Sequence, residues 1–444
     1  MSTPKEPLGP TPAQDPLEPV EPQSAADDEI GTTTAAAGGP ARTPGFGETY
    51  LREVLSSSWL LTLLAIVLAV LLGGVLIIVT DPAVQEAAGY FFARPSTFFA
   101  AAWDAASQAY LALFQGAIYD GQAATFTRAI RPITETLTIA TPLILAGLSV
   151  GLAFRAGLFN IGGQGQVILG AVLATWIGFG LDLPPVVHLV LALVGGAVGG
   201  AFWAAIAGVL KARTGAHEVI VTIMLNNIAA YLVLWVVTTQ LFAGGSSGTS
   251  KPVGENSRLP ALLPEPFRLH LGFILALVLA AAVWWLMERS TLGFKLRAVG
   301  SNARAARTAG ISVGAMTVLA MAIAGGLAGL AGASQVLGTE GYLTASVAGT
   351  IGFDAITVAL LGRSKPLGTV LAGLLFGALA AGGRLMQTRT GTPLDLVLVL
   401  QSFIVLFIAA PPLVRTIWRL PKPGVRREKP SPTSTTPVTA GADA

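Results

Sequence analysis

Long apolar stretches alternate with short polar segments between Trp59 and about residue 413. A helix needs about 20 predominantly apolar residues to cross the hydrocarbon core of a bilayer, and most of these stretches approach that length. The pattern predicts an all-α integral membrane protein of about ten transmembrane helices, some of them discontinuous. The ten predicted spans run approximately over 59–79, 133–153, 164–180, 186–209, 219–242, 269–287, 314–337, 351–361, 367–383 and 395–413.

Two apolar stretches depart from a simple span. The stretch 351–361 is too short to cross a bilayer, and the pattern leaves open whether it spans or re-enters. The stretch 97–118 is interrupted by Asp104, Ser107 and Gln108. Such an interruption is typical of an amphipathic helix that lies at the membrane surface.

The two ends of the chain differ in composition from its middle. Residues 1–48 and 421–444 are rich in proline, threonine and alanine or serine, and contain few large apolar side chains. Such segments bury too little apolar surface to offset the entropy lost on ordering. We therefore expect two disordered cytoplasmic tails, the first of them acidic, around a transmembrane domain over 49–420. Because the first apolar stretch begins only at Trp59, no signal peptide is predicted.

Charge is scarce and unevenly distributed. The chain of 444 residues is 53% hydrophobic and 11% charged, whereas soluble domains are about 25% charged, which excludes an ordinary soluble enzyme. With the N-terminus inside, the cytoplasmic segments hold 19 lysines and arginines in 139 residues, and the external segments hold 8 in 108. Cytoplasmic loops are enriched in basic residues, so both termini are predicted to be cytoplasmic.

The span count predicts two halves of five helices each. Because five is odd, the second half would enter the membrane with the opposite orientation, as in the inverted repeats of many transporters. The stretches 147–170 and 325–352 both end a small-residue helix in a glycine-broken polar segment. Glycines spaced by four, such as Gly325 and Gly329, predict close packing between helices.

Several catalytic motifs are missing from the sequence. A phosphate-binding Walker loop needs Gly-Lys followed by Ser or Thr, and none of the seven lysines follows a glycine. There is no cysteine, and the three histidines lie far apart in the sequence. We therefore predict no catalytic residues, no metal site and no ATP hydrolysis by this chain itself.

Residues 156–166, AGLFNIGGQGQ, form the most unusual polar patch. Its glycines would break a helix and free backbone hydrogen-bonding groups next to three neutral amide side chains. Broken helices at membrane depth are tolerated where they line a cavity, so one interpretation is a site for a polar uncharged solute. The alternative is a cytoplasmic turn between two spans, and the residues alone favour neither. The amides are those of Asn160, Gln164 and Gln166.

Two further polar positions lie within predicted spans. Asn226 and Asn227 point about 100° apart on one helix, so at most one would face a pathway, and hydrogen bonding to neighbouring helices is the favoured interpretation. Asp354 is an ionisable group near the membrane, which is a functional hypothesis by default. Its alternative is a helix N-cap or first-turn acid.

The loop 288–313 is the most basic loop between spans. Arg297, Arg304 and Arg307 would either meet an acidic partner surface or serve as a topology anchor, and both roles are compatible. A role as a topology anchor requires only the basic charges. It does not explain why the loop also contains several glycines.

Four motifs occur in a fixed order along the chain: TPLILAGLSVGLAFRAGLFNIGGQGQ (141–166), TIMLNNIA (222–229), GFKLRAVGSNARAARTAGI (293–311) and GTIGFDAITVALLGRSKPLGTVLAGLLFGAL (349–379). Through them, the segment from about 133 to 413 resembles the permease subunits of bacterial ABC importers. The resemblance is strongest to the nucleoside or simple-sugar branch, which is related to the ribose and branched-chain amino-acid permeases.

This resemblance implies a multi-pass permease in the bacterial cell membrane that translocates a nucleoside or simple sugar. A branched-chain amino acid is the alternative substrate. The implied partners are cytoplasmic ATPase subunits that bind the ATP, a second permease subunit (a paralogue or another copy) and an extracytoplasmic solute-binding lipoprotein, with membrane lipid around the chain and no nucleic-acid polymer. The ATPases would push on 293–311 and rock the two five-helix halves between outward and inward access.

The resemblance also assigns residues. It implies that four amide residues lie near the solute pathway, namely Asn160, Gln164, Gln166 and Asn227. Asp354 is a further candidate for the pathway because it is an ionisable group near the membrane. The coupling contacts to the ATPase would be made by Gly293, Arg297, Gly300, Asn302, Arg304 and Gly310. The competing hypothesis is a secondary transporter driven by an ion gradient, which would need a carboxylate relay. Asp354 is the best candidate for that relay.

Overall fold

The computed structural model describes residues 58–244 and 248–419, and within them the chain is helical. The predicted tails 1–48 and 421–444 lie outside the described residues. Fifteen α-helices follow one another in the described segments: α1 (Ser58–Thr80), α2 (Pro82–Ala88), α3 (Pro95–Ala117), α4 (Phe126–Arg155), α5 (Gly163–Gly180), α6 (Pro185–Thr214), α7 (Glu218–Thr238), α8 (Gly272–Arg289), α9 (Thr291–Ser301), α10 (Ala303–Thr308), α11 (Val313–Ser334), α12 (Ile351–Leu361), α13 (Pro366–Thr390), α14 (Leu394–Ala409) and α15 (Pro411–Ile417).

The all-α membrane architecture predicted from the sequence is confirmed. Seven helices of the described segments are long and apolar enough to cross a membrane, namely α1, α4, α6, α7, α8, α11 with its continuation to Glu340, and α13. The bent pair α14 and α15 adds an eighth if it counts as one span. The predicted spans 164–180 and 351–361 correspond to α5 and α12, which fall short of that test. The total of ten spans remains a prediction.

The predicted surface helix 97–118 corresponds to α3, which packs closely against other helices. Gly116 lies against the backbone of Gly382 in α13, and the Tyr110 hydroxyl donates a hydrogen bond of 2.5 Å to the carbonyl of Val70 in α1. α3 is therefore part of the packed helix assembly, and its position relative to the membrane surface stays a prediction.

α11 is the central helix of the core. It packs on α4, α5 and α6, and backbone meets backbone at the crossing with α6. Gly200 lies against the carbonyl of Gly325, and Gly329 lies against Gly196 and Gly200. A side chain at these positions would have no space, so glycine is what allows the helices to approach so closely.

The contacts between the two predicted halves are reciprocal. α4 of the first half packs on α12 and α13 of the second, while α11 of the second half packs on α5 and α6 of the first. The two halves therefore interlock rather than lie side by side. This arrangement is what two halves related by an inverted repeat would produce, if α4 corresponds to α11, α5 to α12 and α6 to α13.

The membrane helices are broken at two related places. The chain leaves α4 at Arg155 and starts α5 only at Gly163. In the second half, α11 passes into a π-helical turn over Gln335–Glu340, and α12 starts only at Ile351. Gly341 ends the π-helical turn with a φ of 79°, in the left-handed region that glycine adopts without strain. These two breaks position the candidate site.

Candidate functional site

The turn before α5 is held by two buried amide side chains. The Asn160 Nδ2 group donates to Gln166 Oε1 at 2.9 Å, and the Gln166 Nε2 group donates back to Asn160 Oδ1 at 2.8 Å. Asn160 Oδ1 also accepts the Gly162 N–H at 3.2 Å. Both side chains are inaccessible to solvent. They satisfy each other and the backbone, which fixes the path of the chain into α5.

A third amide joins α7 to the same turn. Asn226 Oδ1 accepts the Gly165 N–H at 2.9 Å, and its Nδ2 group donates to the Ile161 carbonyl at 2.9 Å. It satisfies one of the backbone N–H groups that the first turn of a helix leaves without a partner. The neighbouring Asn227 is exposed and, within 58–244 and 248–419, its side chain bonds only to the Ile223 carbonyl of its own helix. The expected role of Asn226 as a link between helices thus has a geometric basis.

Gln164 joins the N-termini of α5 and α12. Its Nε2 group donates to the Gly349 carbonyl at 2.7 Å, and its Oε1 atom accepts the Gly352 N–H at 2.9 Å. Gly352 in turn lies directly against the backbone of Gln164, so a side chain there would have no space. The two breaks described above therefore meet end to end.

The junction of α5 and α12 lies at membrane depth in the predicted topology. α12 has 11 residues and is about 16 Å long at 1.5 Å per residue, half of the ~30 Å hydrocarbon core. The chain reaches α5 from the cytoplasmic side and α12 from the external side. The short α12 and the longer α5, which has 18 residues, enter from opposite sides and meet at their N-termini.

A cavity of about 430 Å³ adjoins this junction. Its volume lies in the range of sites that bind small molecules. The lining combines hydroxyl, amide and charged groups with one aromatic ring. The polar and aromatic side chains that line it are those of Thr138, Arg268, Gln335, Thr339, Glu340, Thr344, Ser346, Thr350, Asp354, Phe376, Arg384 and Gln401.

Asp354 lines the cavity from the first turn of α12. One carboxylate oxygen, Oδ2, accepts a hydrogen bond of 2.7 Å from the Thr350 hydroxyl. Across residues 58–244 and 248–419, Asp354 forms no ion pair. A carboxylate near the N-terminus of a helix is favoured by the helix dipole, so α12 can hold this charge without a cationic side chain.

Two arginines, Arg268 and Arg384, also line the cavity. Arg268 donates to both oxygens of Glu135, at 3.2 and 2.8 Å, and this hydrogen-bonded carboxylate raises the pKa of Arg268. Arg384 has no ion-pair or side-chain hydrogen-bond partner in the described part of the chain. Both arginines also line a second cavity of about 570 Å³, together with Arg128 and Arg131. The two cavities are thus adjacent and share a basic boundary.

The basic loop of the sequence folds into two short helices, α9 and α10. Asn302 lies between them, and its Oδ1 atom accepts the N–H groups of Arg304 and Ala305, each at 3.0 Å, as an N-cap of α10. Gly310 closes α10 with a φ of 79°. The Arg304 and Arg307 side chains are exposed and have no partner among the residues that the structure describes.

α9 is docked on the membrane helices through glycines and an ionic cluster. A Cβ atom on Gly300 would lie 2.7 Å from the Arg155 carbonyl, and Gly293 lies against the end of α8. Glu288 accepts hydrogen bonds from Arg155 at 2.6 Å and from Arg297 at 2.9 Å. Arg297 therefore forms an internal contact with Glu288, and its expected contact with a partner remains a prediction.

Residues 133–409 match a family model described as the permease component of branched-chain amino acid transport systems. This match covers more than half of the chain. The chain belongs to this permease family. No solved structure matches the permease significantly.

Relatives of the permease are subunits of ABC transporters. It is 42% identical over 288 residues to the guanosine ABC transporter permease protein NupP of Bacillus subtilis, across 64% of this chain and 83% of that protein. It is 36% identical over 286 residues to the glucose ABC transporter permease protein TsgB13 of Haloferax volcanii, across 62% and 75%. It is 34% identical over 302 residues to the nucleoside ABC transporter permease protein NupB of Lactococcus lactis, across 66% and 82%. The permease is a multi-pass transport subunit of an ABC importer and not a catalyst.

The structure separates the predicted pathway residues of the permease into three groups. Asp354 lines the cavity, and Gln164 bridges the two helix N-termini beside it. Asn160 and Gln166 lie buried in the turn behind that junction. Asn227 lies apart from all of these, and its pathway role remains a prediction.

Several cavity residues of the permease were not found from the sequence. Gln401 stands as a single amide within the apolar run LVLVLQSFIVLF, and a polar side chain in a predicted span was a usable signal. Gln335 lies in the π-helical turn at the end of α11, and no sequence pattern predicts that turn. Arg384 lies just after a predicted span, in a predicted external segment, where a basic residue gives no signal of a cavity.

Proposed function

We propose that the permease translocates a nucleoside through a path that includes the 430 Å³ cavity. The observation that carries this proposal is the cavity itself, where amide, hydroxyl and carboxylate groups lie beside apolar side chains next to the junction of α5 and α12. A nucleoside presents both a flat ring and hydroxyl groups, which such a mixed lining can contact. The names of two nucleoside-transporting relatives support the same solute class.

The experiment is uptake of radiolabelled solutes by cells that carry the whole transporter operon, compared with a deletion of the permease gene. Guanosine, uridine, glucose and leucine are the four probes. Permease-dependent uptake of a nucleoside, blocked by excess unlabelled nucleoside, supports the proposal. Uptake of glucose or leucine alone would assign the permease to a sugar or a branched-chain amino acid instead.

The proposed assembly contains cytoplasmic ATPase subunits that bind ATP, a second permease subunit and an external solute-binding lipoprotein. Both guanosine permease proteins of B. subtilis, NupP and NupQ, are similar to this chain, as are NupB and NupC of L. lactis. These pairs support a paralogue as the second permease. A secondary transporter, by contrast, would take up solute in proteoliposomes that contain this chain alone and an ion gradient.

The proposed docking site for the ATPase is the exposed face of α10, with both termini of the chain on the same side of the membrane. Arg304 and Arg307 are available there to an acidic surface, whereas Arg297 is held by Glu288. The test is copurification of the ATPase with the double variant Arg304→Glu/Arg307→Glu. The matched control is Arg213→Glu, an exposed arginine at the end of α6. Loss with the double variant alone supports docking, and equal copurification of both variants contradicts it.

A further inference from the structure

Asp354 is the carboxylate that lines the cavity next to the junction of α5 and α12. Only part of its hydrogen-bonding capacity is used. Thr350 donates to one of its oxygens. An ionised carboxylate has two oxygens and accepts about four hydrogen bonds but donates none. In the described part of the permease, the second oxygen, Oδ1, has no hydrogen-bond partner. The open acceptor sites of Asp354 are therefore suited to a ligand that brings donor groups.

The surrounding wall restricts what that ligand can be. Phe376 of α13 lines the same cavity, as do the amides of Gln335 and Gln401 and the apolar side chains of Ile139 and Leu143. Phe376 and Leu143 are themselves buried, so they contribute only an apolar edge of the wall. The amides can both donate and accept. The part of the wall beside Asp354 thus suits an uncharged ring compound that carries paired N–H or O–H donors at one edge.

We propose that Asp354 determines solute specificity by accepting two donor groups of a nucleoside at once. Nucleosides offer two such pairs: the adjacent ring N–H and amino groups of a guanine-type base, and the vicinal hydroxyls of the ribose. Both present two donors to one carboxylate, and they are separated by the competitors used below. This inference rests on the proposed transport of nucleosides.

The substitution Asp354→Asn tests the role because it keeps the size of the side chain and removes one acceptor. A carboxamide offers one acceptor oxygen and one donor group, so it cannot accept a donor pair. Asp395 provides a matched control. It is also an aspartate in the first turn of its helix, α14, but it is exposed and does not line the cavity.

The assay is uptake of radiolabelled guanosine by cells with the complete transporter, in competition with unlabelled analogues. Inosine lacks the amino donor of the base, and 2′-deoxyguanosine and 3′-deoxyguanosine each lack one ribose hydroxyl. In the unchanged permease, either the base analogue inosine or the two deoxyribose analogues should compete about 10- to 100-fold less well than guanosine. This is the effect of losing one hydrogen bond to a charged group, which is worth about 1.5–3 kcal/mol. In Asp354→Asn that difference should collapse to within about threefold, while Asp395→Asn keeps it.

The outcomes separate the inference from the function on which it rests. If the unchanged permease takes up no nucleoside, the proposed function is wrong and the inference falls with it. If guanosine is transported and Asp354→Asn retains the full discrimination between analogues, only the inference is wrong. Asp354→Glu, which keeps the charge and moves it by one methylene, covers the case in which the asparagine variant does not assemble. Asp354→Glu should weaken guanosine uptake but keep the discrimination between analogues. If this variant loses that discrimination, the assignment of Asp354 is wrong.

Discussion

The reciprocal amide pair of Asn160 and Gln166 allows the structural role of the turn before α5 to be measured directly. We consider Asn160→Leu and Gln166→Met, which keep the approximate shape of each side chain and remove its hydrogen-bonding atoms. Because both side chains are buried, a group that loses its partner there is not rescued by bulk water. Such a group costs about 1–3 kcal/mol.

The expected magnitudes follow from the bonds at this site. Asn160→Leu leaves four groups without these partners: both amide atoms of Gln166, the Gly162 N–H and, at 3.4 Å, the Ser149 hydroxyl. We expect a loss of about 3–5 kcal/mol in the free energy of unfolding, near the low end of the sum, because the Ser149 bond is long and the turn can relax. Gln166→Met leaves both amide atoms of Asn160 with a partner, the Gly162 N–H and the Ser149 hydroxyl, so the loss of two hydrogen bonds should cost about 1–3 kcal/mol.

The double variant distinguishes a structural pair from two independent contacts. When both polar partners are replaced, only the Gly162 N–H and the Ser149 hydroxyl are left without these partners, so the double variant should lose about 1–3 kcal/mol, less than Asn160→Leu alone. The coupling energy, which is the sum of the two single losses minus the double loss, should be on the order of 3–4 kcal/mol. The assay is SDS-driven unfolding of the purified permease in mixed micelles, read by tryptophan fluorescence.

Asn227→Leu is the matched control, because Asn227 is exposed and bonds only within its own helix. It should change the free energy of unfolding by about 0.5 kcal/mol or less. Additive losses in the Asn160 and Gln166 cycle would refute the coupled pair. A raised KM for uptake with unchanged stability would instead make these amides direct solute contacts, as the resemblance implied.

Three further predictions concern the junction, the docked helix and the topology. Gln164→Leu removes two bonds across the junction and should lower the free energy of SDS-driven unfolding by about 1–3 kcal/mol; an unchanged value would mean that the junction does not depend on them. Gly300→Val forces α9 away from the Arg155 carbonyl and should raise the number of ATP molecules hydrolysed per solute imported. Gly314→Val, at a position with ordinary spacing, should not, and equal effects would contradict the coupling path. Because the chain has no cysteine, Ser301→Cys and Gln122→Cys can be labelled singly in intact cells with an impermeant maleimide. Labelling of the second alone is expected, and the reverse pattern would invert the topology.

Sequence patterns predicted the helical membrane class well, because a span is encoded by local hydrophobicity. They were less informative about partners of polar groups. Arg297 was expected on an outer docking surface, yet Glu288 lies beside it because α8 and α9 turn back on each other at Ser290. The distribution of charge along the sequence predicts on which side of the membrane a loop lies. Which residue a charged side chain contacts depends on the fold.

The amide-rich patch illustrates the same limit. The break before α5 was identified, but Asn160 and Gln166 pair with each other while Gln164 bonds to Gly349 and Gly352. Their different roles depend on the path of a glycine-containing turn. Gln335 and Gln401 line one cavity only because the π-helical turn after α11 and the helix α14 both border it, and the local sequence pattern does not contain that information.

The interlocked halves have a mechanical consequence. Since α11 crosses α6 with backbone against backbone at Gly200 and Gly325, a hinge between the halves would have to separate helices that are in direct backbone contact. We therefore expect the chain to move as one rigid unit, so that the stroke of the ATPase would tilt the whole permease against its partner permease.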